Sequence, residues 1–566
     1  MKKESHLFFL LFAFSFSVYL LTMDRSVSWW DCGEFISTGW LLQVGHPPGA
    51  PVYQLLSHLF MLLSFGNPML VAPLSNAFSA LCGGLTVGLL YMTLRELGTR
   101  RLGALIGALC YLFCDTAWFS AVESEVYALA MLFCALDVWL ALRWRRTSNA
   151  RLLLLLGLLL GLGVCVHLMT LLVVPAVLLI VAQRMKGNLL SFIFHFSFFI
   201  LLGLTPYAIV PIRAAAHPPI NEYGKDLGSY LRREQYAKAP LYPRMWRERD
   251  SVHWNDWNAG RTDLVGNAVY YGTYQLGYMY GRYLMYNFIG RKNLRWHCVV
   301  LFILPFLLGL WGLLRHRRRS RVDFWVVMLL FLFGGVLLNL YLNHPCYEPR
   351  ERDYAYVLSF YAFALWIGIG ADELSEKGKR KKEKEENSSR RPSFLFPLSS
   401  LLFLAPLTMA VGNWSDHDRS RCHSVHDIAV NHLESCDPDA ILITLGDNDT
   451  FPLWYLQQVE RRRTDISIYN LGLTGWRNIQ KTLTDNNFQR PVYVSQYFYD
   501  RFGTFFADRL QCEGFCWRLL PTEDQPPANE HRPPTFEWHI TEDEYIDPIS
   551  ASFLAIWEQN TGITPR

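Results

Sequence analysis

The sequence predicts a polytopic α-helical membrane protein with a small α/β domain at its C-terminal end. Three observations carry this expectation. The apolar residues are gathered in long blocks. The Lys and Arg residues between blocks crowd alternate loops. The last stretch of about 150 residues reads as strand, loop, helix and strand, long enough for a domain of its own. Over 566 residues the composition agrees: 51% is hydrophobic, only 18% is charged and mean hydropathy is +0.12. Soluble domains carry about 25% charged residues, and a single soluble core stops growing near roughly 250–300 residues. An aromatic content of 15% excludes disorder. A net charge of +4 gives no reason to expect a nucleic-acid partner, so the positions of the basic residues matter more than their sum.

The first block, 6–23, follows Lys2 and Lys3 and ends at Asp24-Arg25. No small-residue cleavage site follows it, so it reads as a retained span. Further spans are expected at 70–94, 102–120, 126–142, 152–166, 168–183, 189–212, 297–314, 322–342, 354–371 and 393–412, eleven in all. The stretch 152–183 is too long for one untilted span and is divided at His167. With the N-terminus in the cytoplasm, the loops 95–101, 143–151, 184–188, 315–321 and 372–391 are cytoplasmic, and every one is basic. The charge run 372–391 reads as a solvated linker. The membrane domain is expected over 1–412, with outer loops at 24–69 and 213–296, and the α/β domain over 413–566. Twelve Cys are present, six in or beside spans and six on the outer side, where oxidation is permitted. Cys512-x3-Cys516 has no companion ligands for zinc.

The chemically capable groups fall on the outer side. In WWDCGEF (29–35), Asp31 and Glu34 are three apart and share one face of a helical turn. Among Trp and Phe side chains a carboxylate is raised in pKa and can act as a base; equally, Asp31 can cap a helix whose first turn holds Glu34. His46 opens the rigid turn HPPGAP, as a turn residue or as a donor to phosphate or sugar. Glu123, Glu125 and Tyr127 lie at the next outer turn, and His167 at another. Arg213 directly follows a span. Arg282 lies in the Tyr-rich stretch 275–291, and Arg350, Arg352 and Asp353 in PRERDY. Arg cannot lose its charge and binds phosphate in a bidentate way, so Arg among aromatics at one membrane face suits a lipid-linked phosphate. The alternative is ion pairing within PRERDY itself. In the C-terminal domain, strands are expected at 440–445, 465–470 and 490–495 and a helix at 450–463. GDND (446–449) then follows a strand, where ligands often bind. Asp447 and Asp449 there read either as hydroxyl- or metal-binding acids or as turn and cap residues.

WDCGEF, VGHPPGAP, ESEVYAL, RREQY, LNHPCYEPRERDYAYVLSFYAFALWIGIG and GDNDTFPLWYLQ, in this order over about the first 480 residues, resemble the family first catalogued as domain of unknown function 2723. It is now grouped as glycosyltransferase family 117, with the transmembrane protein 260-like O-mannosyltransferases as its animal members. The resemblance is to a short bacterial form. It implies a class C glycosyltransferase fold that takes a mannose-like sugar from a polyprenyl-phosphate carrier. The acceptor would be a hydroxyl, on Ser or Thr of secreted proteins or on a glycan or lipid, and the anomeric configuration would invert. By position the base falls to Asp31 or Glu34. The arginines would meet the leaving phosphate, and His46, Glu123, Glu125, Tyr127, His167, Asp353, Asp447 and Asp449 would line the substrates. No cofactor and no metal is expected, though a divalent cation stays open. The bacterial inner membrane is the expected location, with the C-terminal domain in the periplasm. A transporter or membrane sensor is the alternative from another class; intramembrane charges near span centres are few, Asp137 the clearest.

Overall fold

A computed structural model describes residues 2–184, 189–234, 256–261, 263–291, 302–346, 350–386, 398–506, 509–521 and 546–562. Gln235 and Tyr236 of RREQY, residues 347–349, the end of the charge run at 372–391, Cys298 and the starts of the expected spans at 297 and 393 lie outside them.

The chain is an integral membrane protein built around a helical bundle. Among the described residues six helices are long and apolar enough to cross a membrane. The number is seven if Arg101–Leu112 and Asp115–Ala121, bent by 64°, form one broken span. The remaining four expected spans fall on shorter helices: Ala150–Val164, Leu168–Ala182, Leu304–Arg319 and Leu404–His417. Helices of this length rise only about 21–24 Å, less than the ~30 Å of a hydrocarbon core. Among the described residues each of the eleven places holds helix, and four of these helices are shorter than a span; two of the four begin in expected spans whose first residues lie outside the described ones. The expected division near His167 is present: one helix stops at Val164, and a 3-10 turn starts at Leu168 with His167 as its cap.

Helix Val357–Glu386 is the axis of the bundle, and its first fifteen residues are buried. Its neighbours approach through glycine. A side chain at Gly312 would strike the Trp366 carbonyl, and one at Gly107 would come within 2.9 Å of the Ala364 carbonyl. Such close approach gives dispersion contacts where no hydrophobic force drives helices together.

The two ends of the bundle differ. At one end, the basic end, arginines from loops far apart in sequence pair with carboxylates. Arg95 and Arg101 meet Glu4, Arg143 and Arg146 meet Glu96, Arg145 meets Asp323, and Arg100 and Arg319 share Asp372. The other end carries helix Cys32–Leu41, the turn at 122–125 and the C-terminal α/β domain, around a cavity.

That domain holds a five-stranded sheet: β1 (Ile441–Thr444), β2 (Ser467–Asn470), β3 (Val492–Ser495), β4 (Leu510–Glu513) and β5 (Cys516–Leu519). Its order is β2-β1-β3-β5-β4, with β2, β1 and β3 parallel and the last two strands antiparallel. The chain leaves β1 toward β2 and returns on the other side of β1 as β3. The carboxyl ends of β1 and β3 therefore form a topological switch point, the usual crevice of such sheets. GDND follows β1 there. The helix after it, Phe451–Tyr455 with a π turn to Glu460, packs on helix Cys32–Leu41. Gly33 permits this contact, since a Cβ would collide with the Phe451 carbonyl.

Candidate active site

Asp31 stands at the N-cap of helix Cys32–Leu41 but makes no side-chain capping bond. Its carboxylate instead faces Arg350, Oδ2 to Nη2 3.5 Å. Glu34, one turn on, is fully buried and taken up by His46. One oxygen accepts the His46 backbone N–H at 2.6 Å, and the other meets His46 Nδ1 at 2.6 Å. The VGHPPG turn must approach closely to do this. A Cβ at Gly45 would stand 2.6 Å from Glu34 Oε1, which explains glycine before the histidine. Burial opposes a charged ring at His46, but the Glu34 carboxylate outweighs it and holds the pKa up at about 10. The turn is fixed from outside by Tyr230, whose hydroxyl donates to the Gly45 carbonyl at 2.7 Å.

Arg350 is mostly buried, sandwiched between the Trp30 and Tyr354 rings, with Cζ 4.5 and 4.7 Å from their centroids. It borders a cavity of about 590 Å³, also lined by Glu123, Glu125, Tyr127, Arg282, Arg291, Asp353 and Arg419. Arg282 pairs with Glu351 at 2.8 Å and lies over Tyr278, Tyr283 and Tyr286. Arg291 bridges Asp115 and Asp353, and Arg419 pairs with Glu123 at 3.2 Å. Among the described residues the buried Nε–H groups of Arg282, Arg350 and Arg419 have no hydrogen-bond partner. Buried donors are nearly always satisfied, and these three arginines line one cavity, where their guanidinium groups can meet an anion. Burial lifts Glu123 to about 7, against the pull of Arg419. It lifts Glu125 well above the usual range, with the nearby Asp31 charge adding to the effect. Tyr127 packs against Tyr354 with ring centroids 4.5 Å apart and planes tilted by 34°, and it meets His167 edge-on at 5.5 Å. His167 Nδ1 accepts the Met169 amide, and burial holds the ring neutral, its pKa near 4.

The remaining sequence candidates have other partners. Arg213 reaches the carbonyls of Leu41 and Leu42 at 3.1 and 2.5 Å, closing the C-terminus of helix Cys32–Leu41, where four carbonyls lack intrahelical donors. Arg352 donates to the Tyr354 hydroxyl at 2.7 Å. Asp449 accepts the Leu445 and Gly446 amides at 3.1 and 2.7 Å and also the Ser495 hydroxyl, tying the β1 loop to β3. Burial, reinforced by the Asp31 and Glu34 charges, lifts Asp447 to about 6. Sequence reasoning passed over Arg291 and Arg419. Arg291 ends the same Tyr-rich stretch that holds Arg282, a signal that could have found it; Arg419 has none. Asp31, Glu34 and His46 are the one grouping with metal-ligand spacing among the described residues, their ligand atoms within 4.8 Å. Both Glu34 oxygens already bind His46, so a cation there would have to displace that pair.

Fold and site together define a polytopic membrane protein whose charged cavity is roofed by an α/β domain. Against known families, residues 31–190 match the protein O-mannosyl-transferase TMEM260 N-terminal domain, and residues 425–480 match TMEM260-associated domain 2. The resemblance seen in the motifs is thus borne out. The mouse protein O-mannosyl-transferase TMEM260 is 25% identical over 485 residues, 81% of this chain and 61% of that protein. Its Dictyostelium discoideum counterpart is 22% identical over 508 residues, 82% and 57% of the two chains. The chain thus spans about three-fifths of the length of these curated relatives. Among solved structures, ArnT from Cupriavidus metallidurans aligns over 91% of this chain and 97% of its own, with a TM-score of 0.49 and 11% identity. The S. cerevisiae Pmt1-Pmt2 complex bound to the sugar donor aligns over 38% and 34%, with a TM-score of 0.31 and 23% identity.

Proposed function

We propose that the protein is an integral-membrane glycosyltransferase of the class C type. It moves a mannose-like sugar from a polyprenyl-phosphate carrier to a hydroxyl, on Ser or Thr of secreted proteins, with inversion. The observation that carries this reading is the place of Arg350: it borders the cavity that Arg282 and Arg419 also line, and it faces Asp31, a carboxylate that no capping bond engages. The TMEM260 relatives support the same class. The basic loops gather at the opposite end, which supports a cytoplasmic N-terminus with the α/β domain across the membrane; a bacterial inner membrane, with that domain in the periplasm, is part of the same proposal.

Asp31 is the base in this reading, because Glu34 is already held by His46. The acceptor hydroxyl gives its proton to Asp31 as its oxygen bonds to the anomeric carbon. The bond from that carbon to the carrier phosphate breaks on the opposite face, and the phosphate takes the electron pair. Arg350 and Arg282, fixed in place before reaction, stabilise the charge that develops there. The Glu34–His46 pair holds the turn against the base. Apart from the acceptor proton, no step needs a group beyond these residues and the two substrates.

The test uses purified protein in nanodiscs, a polyprenyl-phosphate mannose donor and a pool of Ser/Thr peptides, with glycan and lipid acceptors in parallel. Wild type transfers sugar to peptide, and Asp31→Asn is slower by about 100- to 10,000-fold, the usual worth of a general base. Transfer only to glycan or lipid would move the acceptor class. No consumption of lipid-linked sugar, or full activity in Asp31→Asn, would contradict the reading.

A further inference from the structure

The residue before Asp31 is in a conformation that a bulky side chain rarely adopts. Trp30 has φ +60°, the left-handed region. This single setting does two things: it turns the indole under Arg350 and it starts the helix that carries Asp31 and Glu34. Residues held in such regions persist only where the surroundings fix them, and they cluster at functional sites. Here the fixing group comes from more than 400 positions away in sequence. The Trp30 backbone N–H donates to Asn448 Oδ1 at 2.8 Å. Asn448 is buried, and its amide must present oxygen here because the partner is an N–H.

The loop that offers Asn448 is itself held from three strands. Asp449 binds the amides that follow β1 and the Ser495 hydroxyl at the end of β3. Thr450 donates to the Gly446 carbonyl at 2.6 Å, and Asn470 at the end of β2 donates to Thr450 at 2.9 Å. The preceding residue, Trp29, is also held by the C-terminal domain, its Nε1–H 2.9 Å from Ser550 Oγ.

We infer that Asn448 is a positioning residue of the transferase: it holds Trp30 in the left-handed setting and so fixes Asp31 against Arg350, making the switch point of the α/β sheet a clamp on the catalytic loop. The inference rests on the transferase reading above. The GDND acids border the site, and the asparagine between them controls its geometry.

The experiment compares wild type, Asn448→Ala and Asn448→Asp in the nanodisc assay, with hydrogen exchange followed in peptides covering 27–35. Asn448→Ala removes the acceptor; the Trp30 region exchanges at least about tenfold faster, and kcat falls about 10- to 100-fold, as expected for a displacement near 1 Å. KM for the donor and binding of undecaprenyl phosphate stay within about twofold. Asn448→Asp keeps an oxygen for the Trp30 N–H and restores both slow exchange and most of kcat. The inference is overturned if Asn448→Ala keeps wild-type kcat, if Asn448→Asp falls as far as Asn448→Ala, or if lipid binding is lost together with kcat. A wild type inactive on every donor would sink the transferase reading instead, and the exchange data would still decide whether Asn448 holds Trp30.

Discussion

The basic end and the cavity end of the bundle both concentrate arginine, but they use it differently. At the basic end Arg100 and Arg319 close on the buried Asp372, and Arg143 and Arg146 close on Glu96. The charges there satisfy one another. At the cavity end Arg350 stands by two aromatic rings and 3.5 Å from the Asp31 carboxylate, with a buried donor that has no acceptor among the described residues. Burying such a group without full pairing costs stability. In the proposed transferase reading, the carrier phosphate is the anion that answers it. Counting arginines or their carboxylate partners does not separate the two ends; among the described residues, the buried Nε–H groups without an acceptor all belong to the cavity end.

Variants at each end can break or sharpen this contrast. The largest expected effect is at Arg350. Arg350→Ala removes the guanidinium from beside Asp31 and slows sugar transfer by about 100- to 1,000-fold, the range for losing one preorganised donor. Rates within threefold of wild type would mean that the open donor is not used.

A smaller effect concerns the Glu34–His46 pair. In the folded protein His46 titrates near 10, above the about 6.5 of an unfolded chain. Its stabilising contribution is therefore complete below about pH 6.5 and is lost as pH rises through 10. Thermal unfolding followed from pH 6.5 to 10 falls steadily in wild type. It starts lower and is flatter in Glu34→Gln, which lacks the carboxylate. Parallel curves would show that the pair does not stabilise the fold.

The smallest effect belongs to the basic end. Arg100 is half exposed and its pairing is screened, so Arg100→Ala costs about 0–1 kcal/mol of stability. It leaves transfer unchanged. A clear loss of transfer in this variant would undo the distinction between the ends.

Much of this arrangement was readable in the chain. Among the described residues the apolar blocks mark helices at each expected place, six or seven of them long enough to span, and the loop charges gather at one end, because both are local properties of composition. The β1 loop was legible from the strand and turn signals around GDND. The partners were not. Asp31 and Glu34 look equivalent in WDCGEF, and only the return of the HPPGAP turn, held by Tyr230, gives Glu34 to His46 and leaves Asp31 free of a capping bond. Arg213 resembles a phosphate ligand in sequence, yet it closes a helix end more than 170 residues earlier. Span length misleads as well: Ala150–Val164 and Leu168–Ala182 are apolar helices shorter than a span, since mean hydropathy does not report where a turn cuts the helix. Asn448 acts on Trp30 from a separate layer of the fold, a contact that no local pattern records.

The central claim is that the cavity end, and not the basic end, holds the carrier phosphate. Binding of undecaprenyl phosphate to the protein in nanodiscs tests it, with wild type set beside the double variants Arg282→Ala/Arg350→Ala and Arg100→Ala/Arg319→Ala. The account predicts that the first double variant weakens binding by at least about tenfold and the second leaves it unchanged. Equal losses, or a loss confined to the basic-end variant, would contradict it.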